Sequence, residues 1–432
     1  MISSLAAYLA VFLVVAGPWI VAAARAVPGV GNLAPLVSPD DARMICWAFG
    51  WLPHAALTAP ARLLDAPINY PAPAQLIGSE HFASSVLLAA PIFWSTGNAV
   101  LAANAIALAS YPLAALAMDR LLLALGCGGL VAWTGGLLFA LGPLRVPGNL
   151  QVLQYPNVYL PLLALALMRL RREPGARAGA VFVLVFLAAL FSSYYMAVMA
   201  GVAAAVWAGR ELAVRGPGRA RFAFLATLLA LAGMAVLALA SRPYFGRPEA
   251  QTSGFSNVWW QAPVVSLLAE HFVPIWFGNV ALLFAGLGAV ALVLGGPAAR
   301  RTAAAGLLMA VVGGVLMLPP RPLGELIIAS PARFFRAPWR FVMVTGFGTA
   351  LLGAAALEVA RERLPELANL GAAGWPVAMA GADTRYTVEL VARWRRGADA
   401  GAVARIPLAR DVPAGERLTG PRPRSSHSRY GR

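Results

Sequence analysis

FAFLATLLALAGMAVLALA, the stretch from Phe222 to Ala240, runs without one charged side chain. As a helix rising 1.5 Å per residue it reaches about 28 Å, close to the roughly 30 Å of hydrocarbon in a bilayer. That layer holds no water to meet backbone amides and carbonyls, so the segment must satisfy them internally as a helix. Trp276–Gly296 and Phe341–Leu357 read the same way. The composition agrees. Of 432 residues, 60% are hydrophobic and 12% charged, against about 25% charged in soluble domains. The chain is therefore expected to be an all-α polytopic membrane protein.

Outward from that stretch, spanning runs are expected at about 5–24, 98–118, 128–143, 156–168, 178–191, 193–209, 222–240, 276–296, 303–319 and 339–357. With a weaker run at Asn369–Ala382, this makes ten or eleven transmembrane helices. Arginine gathers in alternate connections. Arg120; Arg169, Arg171, Arg172 and Arg177; Arg210, Arg215, Arg219 and Arg221; Arg300 and Arg301; and Arg361 and Arg363 form one set, which the positive-inside rule puts in the cytoplasm. Residues 1–24 are expected to remain as the first helix, because no basic side chain precedes the apolar run as in a signal peptide.

Parity then places residues 25–97 wholly outside as a large first extracytoplasmic loop. Its apolar stretch 82–95, interrupted by Pro91, is expected to be re-entrant or interfacial. Ser38-Pro39-Asp40-Asp41 has the form of a helix start. Behind it Trp47 and Trp51 share one helical face, which suits a helix lying along the membrane surface. The transmembrane unit is expected over 1–365. A weak last span with a truncated outer segment follows over 366–419, then a disordered Pro-, Arg- and Ser-rich tail over 420–432.

The formal net charge is +16, and every basic side chain counted in it is arginine. The charges fall between apolar runs and in the tail, with no compact basic module, so no nucleic-acid partner is expected. Cys46 and Cys127 fall on opposite sides of this topology and are not expected to pair. No CxxC or His/Cys pattern marks a metal site.

Polar chemistry concentrates on the outer side. Asp40 or Asp41 could take a proton from an acceptor hydroxyl, or simply cap a helix. Glu80 and His81 form a second acid/base pair at the far end of the same loop. Asn98 and Asn104 interrupt an apolar helix, where an amide faces the bundle interior, most simply as a link between helices. Asn149 and Gln151 lie in a short outer loop, Ser192-Ser193-Tyr194-Tyr195 in a narrow outer turn, and Glu270 and His271 in the 241–275 segment. Arg333, Arg336 and Arg340 cluster at a helix entrance where the positive-inside rule disfavours them. Their forked donors suit phosphate, and snorkelling to lipid headgroups is the alternative.

In order along the chain, several stretches resemble the GT-C superfamily of membrane glycosyltransferases, in particular its YfhO-like branch. They are Asp41 with Trp47 and Trp51; Leu64-Asp65-Ala66-Pro67-Ile68-Asn69-Tyr70-Pro71; Ser79-Glu80-His81; and Thr96-Gly97-Asn98 with Asn104. Gly148-Asn149-Leu150-Gln151, Ser192-Ser193-Tyr194-Tyr195 and Arg336-Ala337-Pro338-Trp339-Arg340-Phe341 complete the set. The resemblance covers about residues 35–345.

It implies a GT-C-like fold in the bacterial cytoplasmic (inner) membrane, with its active face extracytoplasmic. The activity it implies is inverting transfer of a sugar from polyprenyl phosphate to a glycan, lipid or protein of the cell envelope. It also implies Asp41 as base with Asp40 as alternate, Glu80 and His81 as supporting groups, and Arg336, Arg340 and Arg333 at the donor phosphate. No cofactor is required, because the leaving group is already a phosphate ester anion; a divalent metal is compatible but not essential. Two other readings stand beside this one: a transporter or flippase of lipid-linked glycans, and an inactive truncated homologue. A transporter is expected to show repeated halves with ionisable groups near mid-membrane, and the sequence shows neither.

Overall fold

A computed structural model describes residues 2–25, 27, 39–66, 76, 80–141, 153, 156–245, 279–317, 321–328 and 338–363. Among them the regular elements are all helical. The helices are α1 (Ile2–Val15), α2 (Gly17–Ala22), α3 (Pro39–Thr58), α4 (Ala83–Thr96), α5 (Ala99–Leu125), α6 (Gly129–Ala140) and α7 (Tyr159–Arg172). They continue with α8 (Ala176–Leu190), α9 (Tyr194–Ala213), α10 (Arg219–Phe245), α11 (Asn279–Leu294), α12 (Pro297–Met317), α13 (Arg321–Ile328) and α14 (Val342–Arg363). Short 3-10 turns cover Pro60–Arg62 and Pro338–Phe341.

Five of these helices, α5, α9, α10, α12 and α14, are long and apolar enough to cross a membrane. Most of the remaining expected spans form shorter apolar helices. The first apolar run divides into α1 and α2 at Ala16, with Pro18 at the start of the second piece, where a proline lacking an N–H is tolerated. The fifth helix runs on past the expected end at 118 and through the adjacent pair Asp119 and Arg120, 3.1 Å apart, to stop where Gly126 takes the left-handed cap. Aliphatic side chains on the outer faces are bare, as lipid-facing side chains are: Leu13, Val14, Val21, Leu87, Leu88 and Leu239 are all exposed.

Close packing in the C-terminal half relies on the absence of Cβ atoms. A Cβ on Gly306 of α12 would lie 2.8 Å from the Gly348 carbonyl of α14, and one on Gly348 would lie 2.6 Å from the Gly306 carbonyl. Without water exclusion to drive association in lipid, small residues let backbones approach closely enough for dispersion contacts to hold the pair.

Side-chain bonds divide the bundle into two ends. At one end Arg120 donates to Ser4 Oγ at 3.2 Å, Arg172 to the Ala124 carbonyl at 3.1 Å, and Arg210 to the Arg301 carbonyl at 3.5 Å. There too the Glu358 carboxylate accepts from the Gly128 amide at 2.9 Å, and Glu362 from the Gly296 amide at 2.7 Å. Each acceptor sits at the start of a helix, α6 or α12, where free amides and the dipole favour negative charge. All the arginines placed together by the positive-inside argument are at or beside this end.

Among the described residues the opposite end carries fewer arginines. Asn98 caps α5 by accepting from the Leu101 amide at 2.9 Å, and its amide donates to the Ala24 carbonyl at 2.8 Å. Asn104 donates to the Ala23 carbonyl at 2.7 Å and accepts from Trp19 Nε1 at 2.9 Å. Both amides therefore fasten the end of α2 to α5. Both ends of α4 also lie at this end of the bundle. Its N-terminal Ser84 amide bonds the Phe191 carbonyl at 2.8 Å, while its C-terminal Gly97 adjoins the α5 start and hence Ala24. At 14 residues the helix is about 21 Å long.

Candidate functional site

Four elements meet at the arginine-poor end: the entrance to α4, the start of α7, the turn between α8 and α9, and the 3-10 turn before α14. Phe82 begins the assembly. Its φ of 49° is left-handed, an outlying backbone state for a bulky residue. The ring is fully buried and tilts against Phe49 of α3, with centroids 6.4 Å apart. This turn sets Glu80 and His81 off the α4 axis and toward α9.

Glu80 is buried and stands within electrostatic reach of Tyr194. The His81 ring meets the Tyr194 ring edge-on at 4.9 Å and lies 6.2 Å from Phe191. Its Nδ1 accepts from the Ala83 amide at 3.3 Å. Burial pushes His81 down to about 4, against the opposing effect of a hydrogen bond to the Phe191 backbone. At neutral pH it is therefore an uncharged imidazole whose other nitrogen carries the proton.

The α8–α9 turn holds its tyrosines by capping. Ser193 Oγ accepts from the amides of Tyr195 and Met196 at 3.1 and 3.3 Å, satisfying two free donors of α9. Tyr194 donates its phenol to the Ala240 carbonyl of α10 at 2.9 Å. Tyr195 supports Arg340, whose guanidinium carbon lies 3.5 Å above the ring centroid. The stacking holds a planar cation at the start of α14, beside the positive end of the α9 dipole.

Of the residues singled out from three separate regions of the sequence, Glu80 and His81 thus come to Tyr194 and Arg340 to the neighbouring Tyr195. Asn98 and Asn104 do not join them; their bonds are spent on α2. Ser84 and Tyr159 are additions that sequence reasoning did not select, their hydroxyls 3.5 Å apart. The one signal available was Tyr159 at the mouth of an apolar run.

Asp40 and Asp41 are described by backbone alone, in the first turn of α3. Contacts of Phe49 with Phe82, and of Trp94 Nε1 with the Pro53 carbonyl at 3.0 Å, set α3 beside α4. Trp47 and Trp51 stack in parallel at 6.1 Å on the same helix, and Trp51 donates to the Leu63 carbonyl at 3.0 Å. Arg333, Arg336, Asn149, Gln151, Glu270, His271 and the expected segments beyond 363 lie outside the described residues.

A buried carboxylate, a neutral imidazole, two phenols and a stacked guanidinium gather groups suited to proton transfer and anion binding at the start of α9. Among the described residues no three His, Cys, Asp or Glu side chains gather as a metal-ligand set. Comparison with protein-family models, curated proteins and solved structures finds no match.

Proposed function

We propose that the chain is an inverting membrane glycosyltransferase that moves a sugar from polyprenyl phosphate to a cell-envelope acceptor, a glycan, lipid or protein, at the arginine-poor end of the bundle. The arginine distribution supports that end as the extracytoplasmic face, and α4, with both its ends there, suits a re-entrant segment. The observation that carries the reading is that consecutive residues at the start of α9 hold the two groups, Tyr194 meeting His81 and Tyr195 carrying Arg340. Acid/base groups and a stacked cation gathered at one helix start suit a reaction at a lipid phosphate.

In this reading an outer-loop carboxylate, Asp41 with Asp40 as alternate, takes the proton of the acceptor hydroxyl. The acceptor oxygen bonds to the anomeric carbon as the bond to the phosphate oxygen breaks, and the configuration inverts. The polyprenyl phosphate leaves with the electron pair, and Arg340, with Arg336 and Arg333 as further candidates, stabilises its charge. Glu80 and neutral His81 orient the acceptor or support the base.

The test is sugar transfer from radiolabelled polyprenyl-phosphate sugars by the purified wild type and by Asp41→Asn. Transfer by the wild type alone supports both the reaction and the base. Turnover by Asp41→Asn removes Asp41 from that role. A folded wild type inert toward every donor sinks the reading and favours a carrier of lipid-linked glycans.

A further inference from the structure

The geometry points to a second site, for the headgroup of an acidic phospholipid, at the opposite end of the bundle between the α7–α8 and α9–α10 connections. The two connections touch. Arg171 donates through Nη1 to the Pro217 carbonyl, and a Cβ on Gly218 would lie 3.7 Å from Pro174 and 3.6 Å from Arg171. Gly218, with φ of 73°, makes the tight return that brings them together at little conformational cost.

Around this junction Arg169, Arg172, Arg177, Arg215, Arg219 and Arg221 are all exposed. Of the nearby acids, Glu211 is engaged by Arg210, which leaves exposed Glu173 to face six arginines. Such an excess of one sign in a confined place calls for an anionic partner.

The surroundings identify that partner as a lipid. Immediately beyond Arg221 the outer face of α10 turns apolar and bare, with Phe224, Leu228 and Leu231 all more than half exposed. Leu184 of the adjoining α8 is equally bare, and the two helices meet where Gly233 faces Phe186. A soluble anion would use the arginines and leave this apolar surface unmatched. A phospholipid uses both, its phosphate on Arg215, Arg219 and Arg221 and its acyl chains along α8 and α10. This site is independent of the transfer chemistry proposed for the other end.

The experiment reconstitutes the full chain in nanodiscs holding equal amounts of phosphatidylglycerol and phosphatidylcholine and measures the lipid retained on the purified protein. At about fivefold per arginine near a charged surface, neutralising three predicts a loss of selectivity somewhat above a hundredfold. Arg215→Gln/Arg219→Gln/Arg221→Gln is expected to lose phosphatidylglycerol selectivity by at least about tenfold. The triple arginine-to-lysine variant at the same positions and Arg242→Gln, at the far end of α10, are expected to keep it. A smaller loss in the glutamine variant overturns the site, as does an equal loss in Arg242→Gln. Displacement of the lipid by inorganic phosphate alone overturns it too, in favour of a soluble-anion site.

Discussion

His81 meets Tyr194 edge-on, with ring planes at 82°, and this contact buries an imidazole at the entrance to α4. Burial holds its pKa at about 4 against an ordinary 6.5. Between those values the unfolded chain takes up a proton that the folded chain refuses, so stability falls as the pH falls. The contribution is fully present above about pH 6.5, is lost on approach to pH 4, and amounts to about 3 kcal/mol. The wild type is expected to lose thermal stability in detergent more steeply than His81→Gln between pH 7 and 4.5. Parallel slopes would show that the ring is solvated.

Arg340 is expected to distinguish charge from shape. Lysine keeps the positive charge but neither stacks as a plane on Tyr195 nor offers a forked pair of donors. Charge-assisted bonds of about 1.5–3 kcal/mol correspond to about 10- to 100-fold in affinity. Arg340→Ala is expected near the upper figure and Arg340→Lys near the lower, both in donor binding and with acceptor affinity unchanged. Titration with a polyprenyl phosphate checks it, and an unaltered donor affinity in Arg340→Ala removes this residue from the phosphate.

Run length, charge and parity made the helical class and the grouping of arginines at one end legible in the sequence. So was the chemistry of Glu80, His81, Tyr194, Tyr195 and Arg340, because each polar side chain stands out at the edge of an apolar stretch. Their meeting was not legible, since it depends on Phe82 adopting a left-handed turn that no local pattern announces. Tyr159 escaped notice because a tyrosine at the end of an apolar run is ordinary interfacial anchoring. The break between α1 and α2 was obscured because Gly17 and Pro18 sit inside an otherwise continuous apolar run.

The two ends can be assigned to sides by cysteine labelling, because both native cysteines are poor targets. Cys46 and Cys127 are buried. Cys127 is also pushed up to about 11 by burial, with Thr302 partly opposing, which leaves little of the reactive thiolate at neutral pH. Thr96 and Arg215 are exposed at opposite ends. In intact cells, an impermeant maleimide is expected to label Thr96→Cys, and Arg215→Cys only after permeabilisation. The reverse pattern would turn the molecule over and place Glu80, His81 and Arg340 on the cytoplasmic side.

Glu358 and Glu362 share one turn of α14 and each caps another helix, yet they differ in burial. Glu358 is fully buried and takes both the Gly128 amide and Arg361, the latter at 2.6 Å; Glu362 is exposed. Removing one member of a buried pair strands the other and costs about 3–5 kcal/mol, less where solvent reaches the remaining partner. The Arg361 side chain is 43% exposed, so Glu358→Gln is expected to destabilise by about 2–3 kcal/mol, toward or below the low end of that range. Glu362→Gln, at a surface bond screened by water, is expected to cost under about 1 kcal/mol. Thermal midpoints of the two variants decide the matter. If they fall equally, the seam between α6 and α14 depends on helix capping alone, and the burial of Glu358 adds nothing to it.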